Sequence, residues 1–101
     1  MYLILWEFAV APQRVAEFRS IYSPSGEWAK LFAQAVGYLG TELLESCEDL
    51  PRFVTIDRWR DAADFAEFQQ RFREPYAALD ARCKHLTLSE RKLGAFRPAG
   101  K

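Results

Sequence analysis

Apolar and aromatic residues fill YLILWEF, residues 2–8, on both parities, and from Val15 onward they fall into step with a helix. The first run, rich in β-formers and closed by Ala11 and Pro12, predicts a strand with two apolar faces. Pro12 suits the first turn of a helix, along which Val15, Phe18 and Tyr22 recur until SPSG, residues 23–26, ends it. Ser25 is placed to cap a second short helix, with Glu27 in its first turn and Trp28, Leu31, Phe32 and Ala35 on one stripe up to Gly37. YLGTELLES, residues 38–46, reads as a strand because Gly40 and Thr41 disfavour a helix there. CEDLPR then turns the chain into RFVTIDRW, residues 52–59, the third strand, which should pair with the one before it as a hairpin. Asp61 is a good N-cap with Asp64 three residues on, and Phe65, Phe68, Phe72, Tyr76, Leu79 and Cys83 continue a helical stripe that Pro75 should kink or restart. LTLSERKLGAF, residues 86–96, alternates well enough for a closing strand.

Strand, broken helix, strand, strand, helix, strand is the order of an α+β, ferredoxin-like split βαβ domain spanning residues 1–101, with an antiparallel sheet covered by helices on one face. The other face also wants burial. Leu3 and Leu5 oppose Tyr2, Ile4, Trp6 and Phe8 along the first strand, and Phe53 opposes Val54 and Ile56 along the third. A homodimer with its sheets packed face to face would cover the face that the helices leave open.

Composition narrows the partners. Fourteen basic residues balance fourteen acidic ones without runs of either sign, so nothing advertises nucleic acid or an anionic membrane. Cys47 and Cys83 stand in no metal-ligand or disulfide pattern, which predicts no metal and fits a reducing cytoplasm. MYLILW is too short to span a bilayer and lacks the basic flank of a secretion signal.

With this order of elements, GYLGTELL (37–44), TIDRW (55–59) and ALDARCKHLT (78–87), the chain resembles the antibiotic biosynthesis monooxygenase family along nearly its whole length. The resemblance implies ferredoxin-like protomers paired into a dimeric α/β barrel. It also implies oxidation of phenol-like or anthrone-like compounds by O2 with no cofactor: neither metal, haem nor flavin. A haem-degrading branch of the superfamily uses an Asn on the first strand and a Trp and a His on the helix after the third. Glu7 and Phe68 stand at the matching positions, and the helix stripe carries no His before His85, a departure that argues against haem degradation.

The candidate catalytic residues are Glu7, Asp57 and Trp59. Glu7 is an acid inside an apolar strand, where burial would raise its pKa toward a useful base; the alternative is an ion pair with Arg91 or Lys92. Asp57 shares the face of Thr55 and Trp59 while Arg58 and Arg60 point the other way; the alternative is an exposed sheet edge. Trp59 could wall a site and donate from its indole, or pack in the core with its N–H on a carbonyl. Trp28, Tyr38, Phe65, Phe68, Phe72 and Tyr76 could line a pocket for a flat ring, or simply pack, and Tyr22 could bring a further hydroxyl. His85 at the end of the long helix reads as a cation on the last carbonyls. Three functions stay open: a cofactor-independent monooxygenase acting on a small aromatic molecule, a non-catalytic dimeric ligand-binding module, and a proton-transfer isomerase on the same fold.

Overall fold

In the computed structural model, which describes residues 1–49 and 51–100, four strands form one antiparallel sheet. The order along the chain is β1 (Tyr2–Val10), α1 (Val15–Tyr22), α2 (Glu27–Phe32), β2 (Tyr38–Glu45), β3 (Arg52–Trp59), α3 (Ala62–Arg71), α4 (Arg73–Cys83) and β4 (Thr87–Phe96). Single 3-10 turns precede α1 at Pro12–Arg14 and β4 at Lys84–Leu86. The lateral order is β2-β3-β1-β4, which puts β1 and β3 in the middle of the sheet. This is the ferredoxin-like plan expected from the order of elements.

Strand alternation decides which residues meet the helices. Ile4, Phe8 and Val10 of β1 and Phe53, Thr55, Asp57 and Trp59 of β3 are buried on the helix side, where they join Phe18, Leu31, Phe32, Phe68, Leu79 and Leu86. Leu3, Leu5 and Glu7, with Val54, Ile56 and Arg58, occupy the outer face. There Leu44 remains 43% exposed and Phe96 47% exposed. No helix among the described residues is long and apolar enough to cross a membrane.

Local chemistry departs from expectation at three points. Ser25 does not cap α2; Gly26 holds the N-cap position without a side-chain bond, because the carbonyls of Ser20 and Ile21 fill the space a Cβ would need. The long helix breaks at Phe72 (φ −110°, ψ 26°), three residues before Pro75, so the proline sits in the first turn of α4, where its missing N–H is not called on. Asp61 caps α3 as expected, with Oδ1 accepting from the Asp64 backbone N–H at 2.8 Å.

The third point shapes the site. Tyr38 pairs with Trp59 and Gly40 with Arg58, which leaves Leu39 as an extra residue in β2. Gly40 takes φ +133°, a conformation open to glycine and strained for other residues. This bulge shifts the side-chain parity, so Tyr38 and Thr41, three apart and destined for opposite faces of a regular strand, both reach the helix side.

Candidate active site

A cavity of about 50 Å³ opens between the helix side of the sheet and the helices. The sheet contributes Trp6, Phe8, Thr41, Thr55, Asp57 and Glu90, and the helices contribute Tyr22, Trp28, Phe32, Tyr76 and Asp80. Phe8, Tyr22, Trp28, Phe32, Thr55 and Asp57 are buried and form its inner part, while Trp6, Thr41, Tyr76, Asp80 and Glu90 are more open to solvent. Aromatic contacts make the wall continuous: Tyr22 packs on Phe8 and Trp28, and Trp28 on Phe32 and Tyr76, with centroids 5.0–6.1 Å apart.

Asp57 is the acid of the inner part. It stands on an interior strand directly opposite Ile4 of β1 and Thr41 of β2, which overturns the expectation of an exposed edge. Oδ1 accepts a hydrogen bond from Thr41 Oγ1 at 2.7 Å. A hydroxyl has one proton, so with that proton on Asp57 the bond between Tyr38 Oη and Thr41 Oγ1, 2.5 Å long, has the tyrosine as donor. Asp57 makes no ion pair among the described residues. Burial pushes its carboxyl up to about 6, and the Thr41 bond offsets part of that rise. A carboxylate of this kind changes protonation near neutrality, where a proton acceptor is useful.

The hydroxyls around it are held protonated. Burial, and behind it the carboxylates of Asp80, Asp57 and Glu90, push Tyr76 up to about 12. Burial also raises Tyr22, with the neighbouring Cys83 thiol adding to the rise, and it raises Tyr38. Both lining tyrosines, Tyr22 and Tyr76, are therefore donors at working pH.

The other expected site residues divide. Trp28 and Tyr76 line the cavity, and Tyr38 reaches it through Thr41. Trp59 does not form its wall: the side chain is wholly buried among Phe32, Tyr38, Phe65 and Phe68, at centroid distances of 5.2–5.8 Å. Its Nε1 has no hydrogen-bond partner among the described residues, so the expected bond to a carbonyl is absent. Phe65, Phe68 and Phe72 belong to the same packing layer and not to the cavity lining. Glu7 lies on the outer face, where Arg52 Nη2 at 2.6 Å and Arg91 Nη2 at 3.0 Å hold its carboxylate. It is thus neither unpaired nor near Asp57's cavity. His85 faces Glu17 at 3.4 Å, also outside the cavity.

Sequence reasoning missed Trp6, Phe8, Phe32, Thr41, Asp80 and Glu90, and it placed Thr55 only as a neighbour of Asp57 on the same strand face. Thr55 and Thr41 carried a legible signal, since two hydroxyls on either side of a hairpin with an acid between them mark a polar spot on a buried face. Asp80 of α4 and Glu90 of β4 border one cavity only through the tertiary fold, which no local pattern displays.

The family model for antibiotic biosynthesis monooxygenases matches residues 1–77. SnoaB from Streptomyces nogalater, described as a cofactor-independent oxygenase, superposes with a TM-score of 0.80 at 20% identity, covering 99% of this chain and 94% of that one. A NIPSNAP domain protein from Burkholderia xenovorans gives 0.71 at 18% identity over 98% and 95% of the two chains. PA3566 from Pseudomonas aeruginosa gives 0.66 at 19% over 97% and 94%. At such identities the likeness is one of fold. No curated protein matches by sequence. A family match over three quarters of the length, on a ferredoxin-like sheet that holds an acid in an aromatic cavity, settles the affiliation: the chain belongs to the antibiotic biosynthesis monooxygenase family.

Proposed function

We propose that the protein is a cofactor-independent monooxygenase that oxidises a small phenol-type compound with O2 and uses Asp57 as the proton acceptor. The observation that carries this reading is the Asp57 carboxylate, buried in an aromatic cavity, anchored on one oxygen by Thr41 and paired with no cation among the described residues. Asp57 takes the phenolic proton, and the phenolate passes one electron to O2. The phenoxyl radical and superoxide combine in a new C–O bond. The ring proton at that carbon passes to the outer peroxide oxygen as the O–O bond cleaves, and the departing hydroxide takes the proton stored on Asp57. Phenol and O2 thus become quinone and water, with one oxygen atom in each product.

The cavity size supports a single ring over a fused system. An apolar cavity of about 150 Å³ holds benzene, so a space of about 50 Å³ takes the hydroxyl-bearing edge of a ring and leaves the remainder at the open side. Glu7 has no part in this chemistry, and Trp59 supports the wall from behind.

A homodimer accompanies the reading. Leu3, Leu5, Val54, Ile56, Leu44 and Phe96 give the outer sheet face an apolar centre, which a second protomer's matching face would bury.

O2 consumption with a panel of phenols and hydroquinones tests the function. Turnover by the wild type that rises through about pH 6 and is lost in a folded Asp57→Asn variant is the expected result. Turnover unaffected by Asp57→Asn would remove the base from the mechanism. A proton-transfer isomerase would use the same acid but consume no O2.

A further inference from the structure

Three carboxylates border the cavity, Asp57 within it and Asp80 and Glu90 nearer solvent, and no lysine, arginine or histidine is among the lining residues. Their neighbours at the open side are aromatic, Trp6 from β1 and Tyr76 from α4. Among the described residues Lys84 pairs with this rim, its Nζ 3.6 Å from Asp80 Oδ2; its side chain is 69% exposed, so water and salt screen that pair. Glu90 enters no ion pair among the described residues. The crowding registers on the groups themselves: burial, and then the Asp80 carboxylate beside it, hold Glu90 above the usual carboxylate range.

Such a rim is unfavourable as it stands and becomes favourable when a positive charge enters. Negative carboxylates and the negative faces of aromatic rings both attract an organic ammonium, the two elements that recur where proteins recognise such cations. A bare metal ion does not fit the geometry, because among the described residues no three potential ligands converge to hold one. Resting on the reading that this cavity is the substrate site, we infer that the substrate is a phenol bearing a protonated amine on a short arm, with its hydroxyl at Asp57 and its ammonium held between Asp80 and Glu90. Asp80 and Glu90 then determine specificity: they attract the ammonium, leave a neutral arm indifferent and repel a carboxylate. Trp6 and Tyr76 add their ring faces to the same charge.

Three probes that share a phenol end and differ in the charge of the arm separate these outcomes: tyramine, 4-ethylphenol and 3-(4-hydroxyphenyl)propionate. Calorimetric titration of the full chain at low salt should show tyramine binding about tenfold tighter than 4-ethylphenol, with the propionate weakest. In the Asp80→Asn, Glu90→Gln double variant tyramine should fall to the level of 4-ethylphenol, whose own affinity stays within about twofold. Raising salt from about 20 to about 300 mM should weaken tyramine and not 4-ethylphenol, which tests the same point without a substitution. Equal affinity for tyramine and 4-ethylphenol in the wild type, tightest binding of the propionate, or no binding of tyramine would overturn the inference. O2 uptake with neutral phenols but no preference for the amine would sink the inference and leave the oxygenase standing. A preference for the amine with no O2 uptake from any phenol would do the reverse.

Discussion

Thr41 and Asp57 stand directly opposite each other across the β2–β3 pair, and the single proton of the threonine hydroxyl points to Asp57 Oδ1 at 2.7 Å. While the carboxylate is charged, donation runs from Tyr38 to Thr41 to Asp57. Once Asp57 holds a proton, its own O–H can donate to Thr41 and the chain can reverse, giving the captured proton a route toward Tyr38.

The raised pKa of Asp57 has a thermodynamic signature. Between about pH 4 and 6 the folded protein keeps a proton that the unfolded chain has released, so stability from this group is present below about pH 4 and lost as pH rises through 6. The total is about 3 kcal/mol. Asp57→Asn removes the titration, so the variant should melt higher than the wild type above pH 6, with the gap closing toward pH 4. Thermal melts of both proteins across this range check the sign; a variant less stable than the wild type at pH 8 would contradict it.

Thr41→Val removes the donor that offsets burial at Asp57, and the Asp57 midpoint should therefore move above about 6. Thr41→Ser should restore it. Carboxyl titration by NMR reads the midpoint directly, and the pH dependence of any turnover should shift with it.

Among the described residues Trp59 is at once the largest wholly buried side chain and the holder of an unpaired N–H. Trp59→Ala should lower stability by about 3–5 kcal/mol through loss of packing. Trp59→Phe should lower it by less than about 2 kcal/mol, because removing the unpaired donor offsets part of the void left by the smaller ring. Denaturant unfolding of the two variants gives the comparison, and a phenylalanine variant as damaged as the alanine one would show that the indole N–H has a partner.

Ile56 lies on the outer face of an interior strand, near the centre of the apolar patch. Sedimentation of the wild type should report a dimer, and Ile56→Asp should shift it to monomer at micromolar concentration, since a buried unpaired charge opposes association. A monomeric wild type would remove the dimer from the picture.

Much of the fold was readable because period and punctuation agreed. Arg52–Trp59 begins and ends where its β-branched and aromatic run does, and Asp61 caps the helix that its spacing with Asp64 announces. The two-sided apolarity of Tyr2–Phe8 correctly assigned Leu3 and Leu5 to one face and Ile4 and Phe8 to the other. The site was harder to read. Arg58 and Arg60 made Asp57 look like part of an exposed edge, although a split βαβ order puts its strand inside the sheet, where an acid between two arginines can still face inward. Glu7 drew attention because it is an acid among apolar residues, yet Arg52, which partners it most closely, comes from 45 positions further along the chain. Aromatic residues at helical spacing could not be sorted into lining and packing, because Phe72 and Tyr76 fall on one helical stripe although only Tyr76 lines the cavity.

The extra residue at Leu39–Gly40 acts as a frameshift written in three dimensions. Moving it one step along β2, by inserting a residue on one side and deleting one on the other, would exchange the residues that look inward for those that look outward over that stretch. Chain length, strand order and hairpin would stay as they are. Which β2 side chains face the cavity is therefore set by the location of that glycine as much as by the identity of the side chains themselves.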